Sequence, residues 1–281
     1  MIYLNWHNVA QVWPAIFILW GISLLPVKEY LKMILIVVTL GISTWVIVDS
    51  SNINNDDSWW EYSDEESDYS DATQHFAIPW EDTVSEARLQ LDAVAGSFVI
   101  NSSTDSLLIF SKKGKKTTYD YIVSNIDGTA EIQINHRNRT VHLGHNNDKI
   151  FMRLNKKPVW DIDLDAGAAS VKYDLRDFKV HSLNIDAGAA SFDIKLGNLY
   201  PETDVTINAG ASSFNISIPE SAGCELEISS VFSDKSLPGF DKLRSGYYKT
   251  PNYDTAQQKI HINIDAAVSS YNIKRYADVS Q

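Results

Sequence analysis

The 281-residue sequence is poor in cysteine and in basic residues. Its single cysteine, Cys224, excludes an intrachain disulfide framework and any metal site built from several thiolates. The chain has 24 Lys and Arg residues against 36 Asp and Glu residues, which gives a formal net charge of −12. Because a nucleic-acid-binding surface needs a basic face, this balance argues against nucleic acid as a partner.

Signatures of catalysis and of nucleotide binding are also missing. The sequence contains no G-x-S-x-G motif, no Walker A loop and no G-x-G-x-x-G fingerprint. The one histidine pair, His142 and His145, lies in a predicted polar loop, where solvated turn residues explain it better than a metal site. We therefore expect no catalytic residue, metal or cofactor, and no enzyme activity. One enzymatic alternative is a carbohydrate-acting solenoid with outward carboxylates on a groove, here Asp161, Asp163, Asp174 and Asp193.

Charged side chains are absent from residues 1–27, and two long apolar runs occupy the first 48 residues. Residues 9–25 and 31–48 are 17 and 18 residues long, each enough for a helix to cross a hydrocarbon core of about 30 Å. A cleaved signal peptide is the alternative, but the sequence has neither a basic n-region nor an A-x-A-like cleavage site. The pattern predicts a two-helix transmembrane hairpin over residues 1–48, and hence a multi-pass protein of the cell membrane.

The orientation of this hairpin rests on two lysines. Lys28 and Lys32 lie at the turn between the spans, and the positive-inside tendency places such a turn in the cytoplasm. The C-terminal part of the chain is then extracytoplasmic, with a cytoplasmic location as the alternative.

An acidic segment, residues 49–76, follows the hairpin. It contains nine Asp and Glu residues and no Lys or Arg, so it repels itself and predicts a disordered linker. Trp59, Trp60 and Tyr62 interrupt this linker. They predict either a short interaction segment or aromatic side chains that rest on lipid or on the downstream domain.

A repeated pattern, D/N-A-x-x-x-S-[FVY]-x-[IY], occurs five times in residues 77–281. Five copies with fixed internal spacing indicate a repeat architecture. The predicted corner residues of the five copies are Asp92, Ala93 and Ser97; Asp165, Gly167 and Ser170; Asp186, Gly188 and Ser191; Asn208, Gly210 and Ser213; and Asp265 and Ser270.

Apolar residues alternate with polar residues on both sides of each corner. Leu183 and Ile185 precede the third corner, and Phe192 and Ile194 follow it. This period of two predicts a strand, a tight Ala/Gly corner and a second strand. The outward aspartates are expected to cap their corners through backbone N–H groups.

Units of about 21 residues cannot bury their own apolar faces, so they are expected to stack on a shared core. The fold class is therefore a membrane-anchored all-β protein: a transmembrane hairpin, an acidic linker and a C-terminal right-angled stack of β repeats, solenoid-like or toastrack-like. The first and last copies, which are atypical, are expected to cap the stack. Two hairpins are predicted from strands 107–110 with 119–123 and 131–135 with 140–143, and residues 232–254 are predicted to form an inserted loop.

The sequence resembles the family that has a LiaI/LiaF-like transmembrane region and a C-terminal toastrack-type β domain. The resemblance rests on the run Val12-Trp13-Pro14-Ala15-Ile16-Phe17-Ile18-Leu19-Trp20-Gly21-Ile22 and on the repeated Asp-Ala-Gly-Ala-Ala-Ser corner. It implies bacterial envelope-stress sensing and modulation of a two-component sensor kinase. The chain differs from the four-helix versions of this family in having two predicted spans.

Two readings of function follow. In the first, the chain is a membrane-anchored envelope-stress sensor or scaffold, whose partners are the lipid bilayer and a membrane protein such as a sensor kinase. In the second, it is a structural or adhesive surface protein whose β domains self-associate.

Overall fold

A computed structural model of the chain describes residues 72–92, 95–114, 117–137 and 148–277. The predicted spans 9–25 and 31–48 and most of the predicted linker lie outside these ranges. None of the described segments forms a helix with the length and hydropathy that a bilayer crossing needs. The strands are β1 (Gln74–Ile78), β2 (Glu86–Asp92), β3 (Ala95–Ser103), β4 (Leu108–Lys113), β5 (Tyr119–Ile126), β6 (Thr129–His136), β7 (Lys149–Leu154), β8 (Val159–Ala166), β9 (Ala168–Leu175), β10 (Lys179–Leu196), β11 (Glu202–Pro219), β12 (Gly223–Ser236), β13 (Asp241–Arg244), β14 (Tyr247–Lys249) and β15 (Lys259–Tyr276).

The strands form one continuous sheet with two walls. The first wall has the order β5-β6-β2-β8-β10-β11-β15-β12-β14-β13, and the second wall has the order β1-β4-β7-β3-β9-β10-β11-β15-β12. Strands β10, β11, β15 and β12 pass from the first wall to the second. Each inner layer of the stack is one such long strand or a pair of short strands, and neighbouring inner layers run parallel.

Alternating side chains place the core between the walls. On β8, Trp160, Ile162 and Leu164 are buried, while Asp161 and Asp163 point outward. Because side chains alternate faces along a strand, every layer adds apolar residues to the same interior. This all-β stack of repeats is the architecture that the alternation predicts.

Residues at equivalent repeat positions lie in register and form columns along the stack. Phe192, Phe214 and Tyr271 are neighbours in three successive layers. Their ring centroids are 5.0 Å and 5.6 Å apart, and the ring planes are nearly parallel. Such stacking adds about 0.5–1.5 kcal/mol for each pair beyond the buried area.

The first and last repeats do not cap the stack, contrary to prediction. Strand β15, the last repeat, lies between β11 and β12, and strand β2 of the first repeat lies between β6 and β8. Antiparallel strands end the stack instead. At one end these are β5 on the first wall and β4 and β1 on the second wall, and at the other end they are β14 and β13.

The predicted hairpin of residues 107–110 with 119–123 is wrong. Strand β4 pairs with β1 and β7 on the second wall, while β5 pairs with β6 on the first wall. The hairpin that forms is β5–β6, which turns at Asp127 and Gly128, both with positive φ. Asp-Gly is the dipeptide that a two-residue hairpin turn favours. Strand β6 pairs on its two edges with β5 and β2, and residues 140–143 of the second predicted hairpin lie outside the described residues.

Two ends of predicted segments also shift. Strand β1 begins at Gln74, within the last residues of the predicted linker, because Phe76 packs against the core and pairs with Phe110 of β4. The predicted loop 232–254 contains the end of β12 and the β13–β14 hairpin.

Two corner glycines lie against the backbone of the neighbouring layer. A Cβ atom on Gly210 would lie 2.9 Å from the carbonyl oxygen of Gly188, and a Cβ atom on Gly188 would lie 3.1 Å from that of Gly167. The absence of a side chain therefore lets successive corners approach closely.

We expect Gly210→Val to destabilise the domain by about 2–3 kcal/mol, because the new side chain forces two layers apart at a rigid backbone contact. The matched control is Ala211→Val, since Val268 occupies that register position in the adjacent layer. Thermal unfolding of the full chain in detergent, followed by β-sheet circular dichroism, measures the effect. A Tm for Gly210→Val equal to that of the control would contradict the close approach; a loss of roughly 5–10 °C is expected.

Candidate interaction surface at one end of the stack

The repeat-corner residues form two polar columns. Asp92, Asp165, Asp186, Asn208 and Asp265 share one register position. Ser97, Ser170, Ser191, Ser213 and Ser270 share a second. Ala93, Trp59, Trp60 and Tyr62 lie outside the described residues, so their predicted roles stay predictions.

Polar side chains of these columns and of the strands beside them join neighbouring layers. Asn208 Nδ2 donates to Asp186 Oδ1 at 3.0 Å, and Asn215 Nδ2 donates to Asp193 Oδ1 at 3.1 Å. The Asp186 carboxylate thus accepts a hydrogen bond from the next layer, whereas the sequence predicts that it accepts from the backbone of its own corner. Such ladders fit strands spaced about 4.8 Å apart, because one amide can reach the carboxylate of the adjacent layer.

Burial and neighbouring charge raise the pKa values of two carboxylates, those of Asp92 and Asp193. Burial of Asp92 and the nearby Asp165 carboxylate raise the Asp92 pKa, and burial raises the Asp193 pKa.

The four carboxylates of the carbohydrate alternative are divided between the walls. Asp161 and Asp163 lie on the first wall, and Asp174 and Asp193 lie on the second. All four accept hydrogen bonds from neighbouring side chains: Asp161 from Ser182, Asp163 from Asn184, Asp174 from Arg176 and Asp193 from Asn215. In the described ranges no group of three or more His, Cys, Asp or Glu residues is placed to hold a metal ion.

Cys224 lies in the core. Its side chain is fully buried, and burial raises the pKa of the thiol. A buried, protonated thiol is a poor nucleophile.

Exposed large hydrophobic residues concentrate on β5. Tyr121, Ile122, Val123 and Ile126 are 45 %, 61 %, 39 % and 58 % exposed. Only Leu199 and Leu243 complete the set of exposed large hydrophobics in the described part of the chain. We call these four residues of β5 the end patch. Single exposed apolar residues are common, but a contiguous group marks an interaction site.

The end patch covers both faces of its strand. In the β5–β6 pairing, Tyr121 and Val123 lie opposite the buried Ile134 and Ile132, so they face the interior. Ile122 lies opposite Gln133 on the outer face. A strand that is apolar on both faces is typical of one covered on both sides.

A cavity opens beside the end patch, between β5 of the first wall and β1 of the second. Its volume is about 200 Å³, and its lining is mainly apolar: Ala77, Ile78, Pro79, Glu81, Val84, Leu107, Tyr121, Val123, Asn125 and Ala130. Next to this cavity the Phe76 ring stacks between the rings of Phe110 and Tyr121, with centroid distances of 4.6 Å and 4.1 Å. The apolar interior of the stack therefore reaches the surface at this end.

The outer edge of β5 carries free backbone groups. Gln74 occupies the edge at Tyr119, whose N–H donates to Gln74 Oε1 at 3.0 Å and whose carbonyl accepts from Gln74 Nε2. Among the described residues β5 pairs only with β6. In an antiparallel strand alternate residues point to the same edge, so Tyr121, Val123 and Asn125 present N–H and C=O groups that pair with no other strand in the described part of the chain.

The opposite end of the first wall is built differently. Its last strand, β13, is exposed throughout and carries Lys242 and Arg244 on either side of Leu243. Charged residues on an edge strand discourage pairing with another chain. Strand β5 has one charged residue, Asp120, so it lacks this protection.

The end patch was not identified from the sequence. The sequence pattern assigns residues 119–123 to a hairpin with 107–110, and that pairing would cover the β5 edge. The signals that point elsewhere are the consecutive Ile122 and Val123, which place apolar side chains on both faces, and the Asp127-Gly128 turn.

These features define a parallel β stack built from repeats, with one apolar end. A family model described as the N-terminal domain of toast_rack, DUF2154, matches residues 64–217. The match covers more than half of the chain, and the chain belongs to this family.

One solved structure shares the fold. It is the crystal structure of a "putative cell adhesion protein" from Clostridium sporogenes, with a TM-score of 0.64 and 20 % sequence identity, covering 72 % of this chain and 98 % of that chain. A likeness at this identity shows the fold. No curated protein matches the chain.

We expect Cys224 to resist thiol reagents in the folded protein, because its side chain is buried and its pKa is raised. An aromatic disulfide reagent at pH 8 should react with less than about one tenth of the thiol until denaturant unfolds the stack. Rapid labelling of the native chain at the rate of a free thiol would show that this part of the core opens.

Proposed function

We propose that the chain is a membrane-anchored, non-catalytic interaction protein. Residues 1–48 anchor it, residues 49–76 tether it, and the β stack presents the end patch to a protein partner. The observation that carries this proposal is the end patch: four large apolar side chains beside an apolar cavity, on a strand whose outer edge pairs with no other described strand.

The finer role is that of an envelope-stress sensor or scaffold. Membership of the toast_rack family supports the domain assignment, and the resemblance of residues 12–22 to the LiaI/LiaF-like membrane region suggests a membrane signalling partner such as a sensor kinase. In this role the domain lies outside the cytoplasm, and partner contact at the end patch changes under envelope stress.

A second candidate is an adhesive or structural surface protein. The shared fold with a protein described as a putative cell adhesion protein favours this candidate, as does the unprotected edge of β5. In this role the domain binds other surface proteins or its own copies and has no signalling activity.

Photo-crosslinking tests the role of the end patch. A photoreactive amino acid replaces Ile122 in the full chain in living cells, and the matched control places it at Leu243, which is 58 % exposed against 61 % for Ile122. We expect a discrete protein adduct from position 122 and at least about fivefold less from position 243, whose flanking charges disfavour docking. Equal adducts from the two positions would contradict an interaction site at the end patch.

Protease protection tests the orientation. External protease is expected to cleave residues 77–281 in intact spheroplasts, because Lys28 and Lys32 predict, by the positive-inside tendency, that this part lies outside the cytoplasm. Cleavage that requires lysis would reverse the orientation and move the partner to the cytoplasm.

A further inference from the structure

We propose that the occupant of the end patch is a second copy of this chain, with β5 paired antiparallel to β5 of the other copy around a two-fold axis at Val123. This inference rests on the proposed function, since it names the partner of the same surface. The register of the β5–β5 pair and its two-fold symmetry can be measured in one experiment.

The backbone of the exposed edge is self-complementary about Val123. Arg137 N donates to Thr118 O, so Thr118 faces β6. Because successive residues face opposite edges of an antiparallel strand, Tyr121, Val123 and Asn125 direct their N–H and C=O groups away from β6. Around a two-fold axis at Val123, Tyr121 of each copy lies opposite Asn125 of the other. All three residues then exchange backbone hydrogen bonds, while Gln74 ends the free edge at Tyr119.

The side chains fit the same register on both faces. On the inner face Val123 meets Val123, and Tyr121 extends over Asn125, so the apolar interior of each stack continues into the other. On the outer face Ile122 lies opposite Ser124, and Ile122 and Ile126 of the other copy are its diagonal neighbours. Cross-strand contacts at these separations, about 5 Å opposite and 7–8 Å diagonal, are the ones that stabilise a sheet.

Charge does not oppose this pairing. Asp120 is the one charged residue of β5, and Arg137 lies 2.9 Å from its carboxylate. In the proposed register Asp120 lies opposite Ile126, so the two Asp120 residues are roughly 20 Å apart along the strands. This distance exceeds the Debye length at physiological ionic strength, about 8 Å.

The area fits a weak, concentration-dependent dimer. The end patch exposes on the order of a few hundred Å² per copy, below the roughly 800 Å² per partner of a typical stable interface. Tethering to one membrane concentrates the copies, so a weak contact is enough there.

Disulfide trapping tests the dimer and its register together. Single cysteines replace Ile122, Val123 or Ser124 in the full chain, with Cys224 retained in the core, and native membranes are oxidised with copper phenanthroline. A residue on the two-fold axis has Cα atoms about 5.5 Å apart, within the 4.4–6.8 Å that a disulfide needs. We expect the most covalent dimer from Val123→Cys, several-fold more than from either neighbour, and none from the matched control Leu243→Cys.

Each outcome decides the proposal. A maximum at Ile122→Cys or Ser124→Cys would overturn the register, because the axis would pass through that residue. If none of the three variants forms a covalent dimer, the second copy is overturned as the occupant. Another protein or another segment of the chain would then cover the edge. Equal dimer from Leu243→Cys would mean random collision and would also overturn it.

A charge-swap pair separates loss of pairing from misfolding. Ile122→Glu and Ile122→Lys should each weaken self-association of the full chain in detergent at least about tenfold, and a mixture of the two differently tagged variants should restore it. Restoration supports the β5–β5 contact, because misfolded chains would not recover on mixing; failure of the mixture to associate overturns it. Photo-crosslinks from position 122 to a different protein, without self-disulfides, would overturn this inference and leave the proposed function standing. If position 122 gives neither photo-crosslinks nor self-disulfides, both this inference and the proposed function are overturned.

Discussion

The close approach of successive corners is the constraint on which the stack depends. Ala189 N donates to Gly167 O at 3.0 Å across neighbouring layers, beside glycines whose missing side chains leave room for the contact. Once the corners are held at backbone distance, the strands on both sides must share one register, because shifting a strand by one residue turns its apolar face outward. The aromatic column, the amide ladders and the continuous interior all follow from that register.

Repetition made part of this fold predictable. The recurring Asp or Asn, Ala and Ser positions and the period-two flanks identify the strands, their inward faces and the residues that lie side by side. What the sequence could not supply was the order of layers. Strand β15 has the same alternation as β10 and β11, so nothing local indicates that it enters between β11 and β12. Likewise, Gly114 follows β4 with a positive φ, but the next strand, β5, pairs on the other wall, so β4 and β5 form no hairpin.

The end patch shows why a local pattern misses a site of this kind. Tyr121 and Val123 read as ordinary core residues, and they would be ordinary core residues if another layer followed. Their exposure depends on their position as the last layer of the first wall, which is a property of the whole stack. The two edge strands of that wall differ: Lys242 and Arg244 discourage pairing of β13 with another chain, whereas the apolar β5 is suited to being covered.

The placement of β15 also determines the order in which the molecule can be completed. During synthesis β12 emerges before β15, yet in the finished stack it lies beyond β15 and makes no contact with β11 as a neighbouring layer. The growing chain therefore holds an unfinished gap until residue 276 has emerged, and the last-made strand closes it by pairing on both edges at once. The layers of this half of the domain are therefore not completed in chain order, and pairings between strands distant in sequence are slow to form. A chain that ends before β15 lacks an internal layer, so it exposes the edges of β11 and β12 in the middle of the domain instead of losing a layer from one end.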